Sequence, residues 1–412
     1  MIVIDHKADC CGCEACVQRC PKGCIDFRED AEGFRYPQVD TERCIDCGLC
    51  ERVCPVIHRD EPRAPQQVFA AKNPDEEVRS ASSSGGVFSM LAQSTIDHGG
   101  VVFGAGFDEH WAVGHDSAET TEGLAAFRGS KYVQSRIGES FVRAERFLKS
   151  GREVLFSGTP CQIAGLRRFL GREYANLLTV DVVCHGVPSP AVWRKYLEGI
   201  MRPEGAVGKN TVLSSLNEMP VITGISFRDK KLSWKKYGFE IRGKAAFEAA
   251  ENSVLKSGIN YEKIVLSEPL TENVYMRGFL CDLYLRPACH ACPARSGRSG
   301  SDLTIADFWG IGRFYPQFDD DRGVSLVLVG SERGAEAFAR LSTEGFAVSY
   351  EQALAGNPAI EHNPVMPRCR KRFWRLFPSR GIDIIVPLCR RIEAGRFFRR
   401  GVSFAKRIMK KL

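Results

Sequence analysis

The chain has 412 residues, 44% of them hydrophobic, and a formal net charge of +7. That length suits two or three domains with sizeable cores, and the apolar content excludes disorder for most of the chain. No run of eighteen apolar residues occurs, which excludes a bilayer-spanning helix, and the seventeen cysteines follow an opening, MIVIDHKADCCGC, with no apolar leader, so they read as metal ligands or free thiols in a reducing, cytoplasmic setting.

The spacing Cys10-x2-Cys13-x2-Cys16-x3-Cys20-Pro21 comes first and returns as Cys44-x2-Cys47-x2-Cys50-x3-Cys54-Pro55. Two residues between thiolates let a tight loop cover three corners of one cubane, and the cysteine before the proline sends its thiolate to the other cluster. This assigns Cys10, Cys13, Cys16 and Cys54 to one [4Fe–4S] cluster, and Cys44, Cys47, Cys50 and Cys20 to a second. Zinc prefers paired Cys-x2-Cys knuckles and rarely needs three cysteines so close together. On these residues the stretch 5–58 resembles a bacterial-type two-cluster ferredoxin, an α+β module expected over 1–58. Cys11 and Cys24 fall outside the pattern and read as packing residues.

The polar, Pro-rich HRDEPRAPQQ marks a linker over 59–67. VFAAKN then reads as a strand, and Ser83-Ser84-Gly85-Gly86 leads into the helical pattern VFSMLAQSTIDHG. A Ser/Gly loop opening a helix offers N–H groups and hydroxyls to a phosphate, or serves as a plain helix cap. VVFGAGFD and AVGHDS follow as strands. Gly129, Ser130, Lys131, Tyr132 and Gln134, in FRGSKYVQS, suit a flavin or nucleotide edge and equally a solvated turn.

VLFSGTPCQIAGL reads as a buried strand that breaks at SGTP and restarts as a helix right after Cys161, whose thiolate the free helix N–H groups would favour. Cys184 ends a second strand-like run, LLTVDVVC, so the two strands are expected to end side by side with their cysteines at one rim. With Cys289-x2-Cys292 these make four soft ligands, enough for a [4Fe–4S] cluster or a zinc site. A hairpin-like pair, ITGISFRD and WKKYGFEIRG, lies between Pro203 and Tyr275, and SLVLVG with the helix from Glu332 to Leu341 gives the last α/β unit.

SSSGGVFSML, FRGSKYVQS, FSGTPCQIAGL, VDVVCHGVPSP and LRPACHACPARSGRSGSDLTIADFWGIG, in that order, closely resemble the family of coenzyme F420 hydrogenase/dehydrogenase beta subunits over about residues 67–315. The resemblance implies an α/β domain that binds FAD and holds a third [4Fe–4S] cluster through Cys161, Cys184, Cys289 and Cys292. It implies flavin contacts from Ser83, Ser84, Gly85 and Gly86, from Gly129, Ser130, Lys131, Tyr132 and Gln134, and from Gly158 and Thr159. The fold class is thus an α+β dicluster module before an α/β flavin- and iron–sulfur-binding domain, divided at 68–203 and 204–360, with a basic helical tail over 361–412.

Clusters carry single electrons and a flavin accepts two, so the expected function is an oxidoreductase between ferredoxin-type clusters and a two-electron small-molecule acceptor, F420-like or other, with polysaccharide synthesis as one setting. The alternative is an electron-transfer subunit that serves a partner enzyme. Soluble ferredoxin or another redox protein is the expected partner, and nucleic acid is not. Lys131 reads either as the cation facing reduced flavin or as a solvated lysine, and His185 either as a proton relay or as a satisfied core residue. The stretch 368–412 carries fifteen Lys and Arg against two acids. Its last part, 396–412, sets Phe397, Phe398, Phe404, Ile408 and Met409 opposite the cations, the pattern of a helix on an anionic inner membrane face or of an ordinary surface helix.

Overall fold

The computed structural model describes residues 1–201, 221–244 and 262–395. The amphipathic segment 396–412 lies outside them. The strands are β1 Ile25–Glu29, β2 Arg35–Val39, β3 Gln67–Lys72, β4 Val101–Phe107, β5 Val113–Ala118, β6 Val154–Gly158, β7 Leu177–Val182, β8 Val221–Asp229, β9 Gly238–Lys244, β10 Glu262–Pro269, β11 Leu303–Asp307, β12 Ser325–Val329 and β13 Glu344–Ala347.

Eight of them form one sheet in the order β13-β3-β12-β11-β7-β6-β4-β5. β4, β6, β7 and β11 run parallel, and β12 runs antiparallel between β11 and β3. β3 therefore points the same way as the parallel four, and five strands deliver their carboxyl ends to one edge. The sheet's period of two is visible in its packing. Val101, Phe103, Val154 and Phe156 bury one face against Phe141 of the helix Ser140–Lys149 and Ile163 and Leu166 of the helix Pro160–Leu170. Val102, Leu155, Val180 and Val327 bury the other, against the helices Val87–Asp97 and Glu332–Ala339. The dicluster module, with its β1–β2 hairpin, shares the first of these cores: Cys10, Cys13, Cys16, Cys50 and Cys54 belong to it.

The chain divides into two compact units, and this first one comprises 1–187, 227–237 and 286–364. The second comprises 188–226, 238–285 and 365–412. It contains the expected hairpin strands as neighbours in a three-stranded sheet, β10-β9-β8. Trp193, Tyr196, Phe239 and Tyr275 form its aromatic core, and Asn273 ties this core to the sheet by donating to the Tyr196 hydroxyl at 2.6 Å and to Glu268 at 2.9 Å. The basic stretch expected as a tail from 361 onward is folded here up to residue 395. Phe373, Phe377, Ile385 and Leu388 are buried, and the Arg370 guanidinium donates to the Leu285 carbonyl at 3.0 Å. Charge marked this stretch in the sequence, but its apolar residues at helical spacing govern its packing.

Candidate functional site

The carboxyl edge of the sheet collects the candidate residues. The Ser83–Gly86 loop follows β3, Cys161 follows β6, Cys184 follows β7, and Asp307 ends β11. β6 and β7 pair in parallel from Val154–Leu177 to Gly158–Asp181, so the two cysteines do leave adjacent strands. The helix after β6 begins at Pro160, one residue before Cys161, because Thr159 caps it and forms a capping box with Gln162. The Thr159 hydroxyl lies 3.3 Å from the Cys161 sulfur.

Cys184 lies near the thiols of Cys289, Cys161 and Cys292 and the Arg295 guanidinium, and it shares a cavity with Cys292, Pro160, Asp181 and Arg295. The expected ease of ionising Cys161 is not found. A hydrogen bond with Cys11 and then burial push its thiol well above the ordinary range, outweighing the helix N-terminus. Burial likewise raises Cys184, and takes Cys289 to about 12. What fits iron is the donor set itself, soft thiols with Cys161, Cys289 and Cys292 all near Cys184. Among the described residues no three His, Cys, Asp or Glu side chains close to the range of one ion.

Burial raises the Cys16 thiol, which has Cys10 and Cys54 of its expected set nearby and also Cys50, expected on the second cluster, while Cys13 neighbours Cys16 and Cys54. Elsewhere in the module the Cys20 and Cys24 sulfurs are 3.4 Å apart with Cys44 beside them. Backbone N–H groups of Ile2 and Asp46 donate to Cys50 and Cys44 at 3.2 and 3.4 Å. Cys11 and Cys24, set aside on spacing, are therefore packed on candidate ligands. The module also touches the helix of Cys161: a Cβ at Gly165 would meet the Cys13 Cβ at 2.8 Å and its sulfur at 3.0 Å.

The expected flavin contacts divide. The Ser83 hydroxyl accepts from the Ser130 N–H at 2.7 Å and its hydroxyl at 3.0 Å, so the two loops meet. Ser84 donates to the Val324 carbonyl at 2.9 Å, and Gly85 has no room for a Cβ, which would stand 2.5 Å from the Ala71 carbonyl. Gly86 caps the following helix at φ +85, Gly129 lies open at φ +80, and Gly158 packs on Gln162 and His115. Arg128, next to Gly129, has a buried Nε with no hydrogen-bond partner among the described residues.

Two assignments shift. Lys131 donates to the Ala126 and Arg128 carbonyls at 2.7 and 2.9 Å, and burial of its head lowers it to about 7, so it clamps its own turn. Gln134 spends its amide elsewhere, donating to the Cys11 carbonyl at 3.3 Å and accepting from Arg286 at 3.0 Å. His185 is half-buried beside Cys184.

Residues 151–351 match the family model for the C terminus of the coenzyme F420 hydrogenase/dehydrogenase beta subunit, and residues 9–57 match the 4Fe-4S dicluster domain. The chain belongs to the family of coenzyme F420 hydrogenase/dehydrogenase beta subunits. It carries a 4Fe-4S dicluster domain in front, which is 41% identical over 64 residues to a 7Fe ferredoxin of Hydrogenibacillus schlegelii, with 76% of that protein and 15% of this chain covered. The F subunit of the F(420)H(2) dehydrogenase of Methanosarcina mazei is 28% identical over 198 residues, 44% of this chain and 54% of that protein. The chain thus spans about half the length of that curated relative. One chain of the F420-reducing [NiFe] hydrogenase complex of Methanosarcina barkeri aligns at TM-score 0.43 and 18% identity over 72% of this chain and 89% of that one.

Sequence reasoning on this member of the family missed its second rank of site residues. Arg228 pairs with Asp307, to which Trp234 Nε1 also donates at 2.7 Å, and Trp234 stacks on Trp309 at 4.9 Å. Lys230 donates to the carbonyls of Arg79 and Ser84 at 2.7 and 3.2 Å, fixing the serine loop. His115 bonds Ser135 at 2.6 Å and the Ser157 carbonyl at 2.9 Å, and burial lowers it to about 4. Only Nε2–H can donate to that carbonyl, so Nδ1 accepts from the serine. No helix of the described residues is long and apolar enough to cross a membrane.

Proposed function

We propose that this chain is an iron–sulfur flavoprotein that moves electrons between a ferredoxin-type donor and a two-electron acceptor. Cys44, Cys47, Cys50 and Cys20 hold an outer cluster, Cys10, Cys13, Cys16 and Cys54 an inner one, and Cys161, Cys184, Cys289 and Cys292 a third beside FAD. The observation that carries this reading is the contact of the module's Cys11 with Cys161, whose sulfur lies 3.3 Å from the hydroxyl of Thr159, itself a candidate flavin contact. Bound there, the clusters would supply one-electron steps and FAD would couple them to a two-electron transfer. The chain's own residues bind, orient and exclude water. Ser83, Ser84, Gly129 and Ser130 offer polar groups to the cofactor, with Arg128 as the charged donor, while Arg228, Tyr132 and Trp309 wall the site with a cation and rings. Asp307 holds Arg228 in place.

F420, as named for the relative in Methanosarcina mazei, is one candidate acceptor, and an acceptor of glycan synthesis is another. The word subunit in that relative's name favours a second reading, in which a partner supplies the active site. The cationic segment 396–412 supports peripheral contact with an anionic membrane, on the cytoplasmic face.

Iron and flavin analysis of anaerobically prepared full chain tests the proposal. It expects about twelve irons, three cubanes, and one FAD. About eight irons with zinc bound by Cys289 and Cys292 would overturn the third cluster. Turnover with reduced ferredoxin and F420, without any partner, would exclude the pure subunit reading.

A further inference from the structure

Between the module's first cysteine loop and the third thiol group lies a cation. Arg286 is 1% exposed, and its fork is fully engaged. Nε donates to the Cys10 carbonyl at 2.7 Å, Nη1 to Gln134 at 3.0 Å, and Nη2 to the Arg35 carbonyl at 2.9 Å and the Cys10 sulfur at 3.4 Å. The Tyr36 ring centroid stands 4.3 Å from the guanidinium carbon. Gly12 makes the approach possible, because a Cβ there would come within 2.8 Å of Nη1.

A guanidinium so buried is costly unless an anion faces it. Among the described residues no carboxylate pairs with Arg286, and the groups whose charge it feels are Cys10, Tyr36, Cys11 and Cys289. Two of these are candidate ligands, of the inner cluster and of the third. The compensation Arg286 requires is the net negative charge of iron–thiolate clusters on either side. The outer group is built differently, for the donors to Cys44 and Cys50 are neutral backbone N–H groups.

We propose that Arg286 sets the order of potentials along the cluster row: its charge and its bond to the Cys10 sulfur raise the reduction potential of the inner cluster above that of the outer one. This rests on the cluster assignment above. Each one-electron reduction adds negative charge to the cluster, and a fixed cation with an N–H···S bond stabilises the reduced form more than the oxidised form. Arg286 thereby makes the inner cluster the preferred resting place for an electron entering through the outer one. It is a positioning residue, touching a ligand and not a substrate.

The test is a potentiometric titration followed by electron paramagnetic resonance on anaerobically reconstituted full chain, with dithionite as the electron donor. In the unaltered protein the two module signals should titrate apart. In Arg286→Met the reduced-to-oxidised ratio of the module signal with the higher midpoint should fall at least tenfold at fixed poise, about 59 mV for a one-electron couple, while the lower one stays in place. Arg286→Lys keeps the charge and loses the fork, so its shift should be smaller and in the same direction. Coincident midpoints in the unaltered protein overturn the proposal without any variant, as do shifts that are absent or equal for both signals. If Arg286→Met does not load iron, the lysine variant and the unaltered protein carry the test. Iron short of three cubanes in the unaltered protein defeats the cluster assignment, whereas full iron with unmoved midpoints defeats only the role of Arg286.

Discussion

The dicluster module draws its eight cysteines from two short loops of one local pattern, while the third group draws Cys161, Cys184, Cys289 and Cys292 from three separate returns of the chain to the carboxyl edge of an eight-stranded sheet. In the module, the cysteine spacing by itself supplies the proposed assignment. At the sheet edge, tertiary structure decides which sulfurs meet, through the pairing of β6 with β7 and the Val187 N–H that donates to the Cys289 sulfur at 3.4 Å. A centre of the first kind should tolerate damage to the sheet, and a centre of the second kind should not.

Cys161→Ala separates the two most sharply. It should remove about a third of the iron, one cubane of three, and leave the module reducible by dithionite. Flavin reduction through the module should slow by roughly 100-fold or more, as expected when a link is missing. Iron analysis and stopped-flow absorbance read both effects, and loss of the module's iron as well would show that the assemblies are not independent. Asp307→Ala strikes the sheet edge alone. It strands the buried Arg228, whose side chain is 3% exposed, and should cost about 3–5 kcal/mol by urea unfolding. An unchanged midpoint would mean Arg228 finds another partner.

Asp181, on β7 and beside the third group, sharpens the comparison through pH. Burial raises its carboxyl to about 6, above the unfolded value of about 3.9, so the folded state holds the proton more tightly. Its contribution to stability is full below about pH 4 and is lost as pH rises to about 6. Asp181→Asn should flatten that slope and add on the order of 2–3 kcal/mol above it, measured as the pH dependence of unfolding. The smallest effect is expected for Thr159→Ala, which removes the cap of the Cys161 helix and should cost about 1 kcal/mol, with no change in the module's signals.

The sequence was most legible where chemistry is local. The dicluster domain, the strand at 154–158 and the strand at 325–329 all follow from spacing or apolar runs. Cys11 escaped because nothing in its neighbourhood announces a partner 150 residues downstream, and only folding puts it against Cys161. Arg286 and Arg228 were missed for a related reason: an arginine looks solvated in sequence, and only burial without free water gives it a role. Gln134 misled in the opposite sense, since a polar residue beside a glycine turn suggested a cofactor and its amide serves Arg286 instead.

Gly12 and Gly165 both lie where the module meets the larger sheet domain: a methyl group on Gly12 would collide with Gln134 and Arg286, and one on Gly165, in the helix of Cys161, would collide with Cys13. The joint is therefore a lock whose wards are two missing side chains. A ferredoxin module taken from another protein would bring its cysteines in perfect register and still not seat, unless it also brought a glycine between its first cysteine pair and the third. Exchange of ferredoxin modules in this chain is limited by the fit of that joint, and a chimera whose module carries a glycine at the position of Gly12 should recover electron entry where a simple fusion does not.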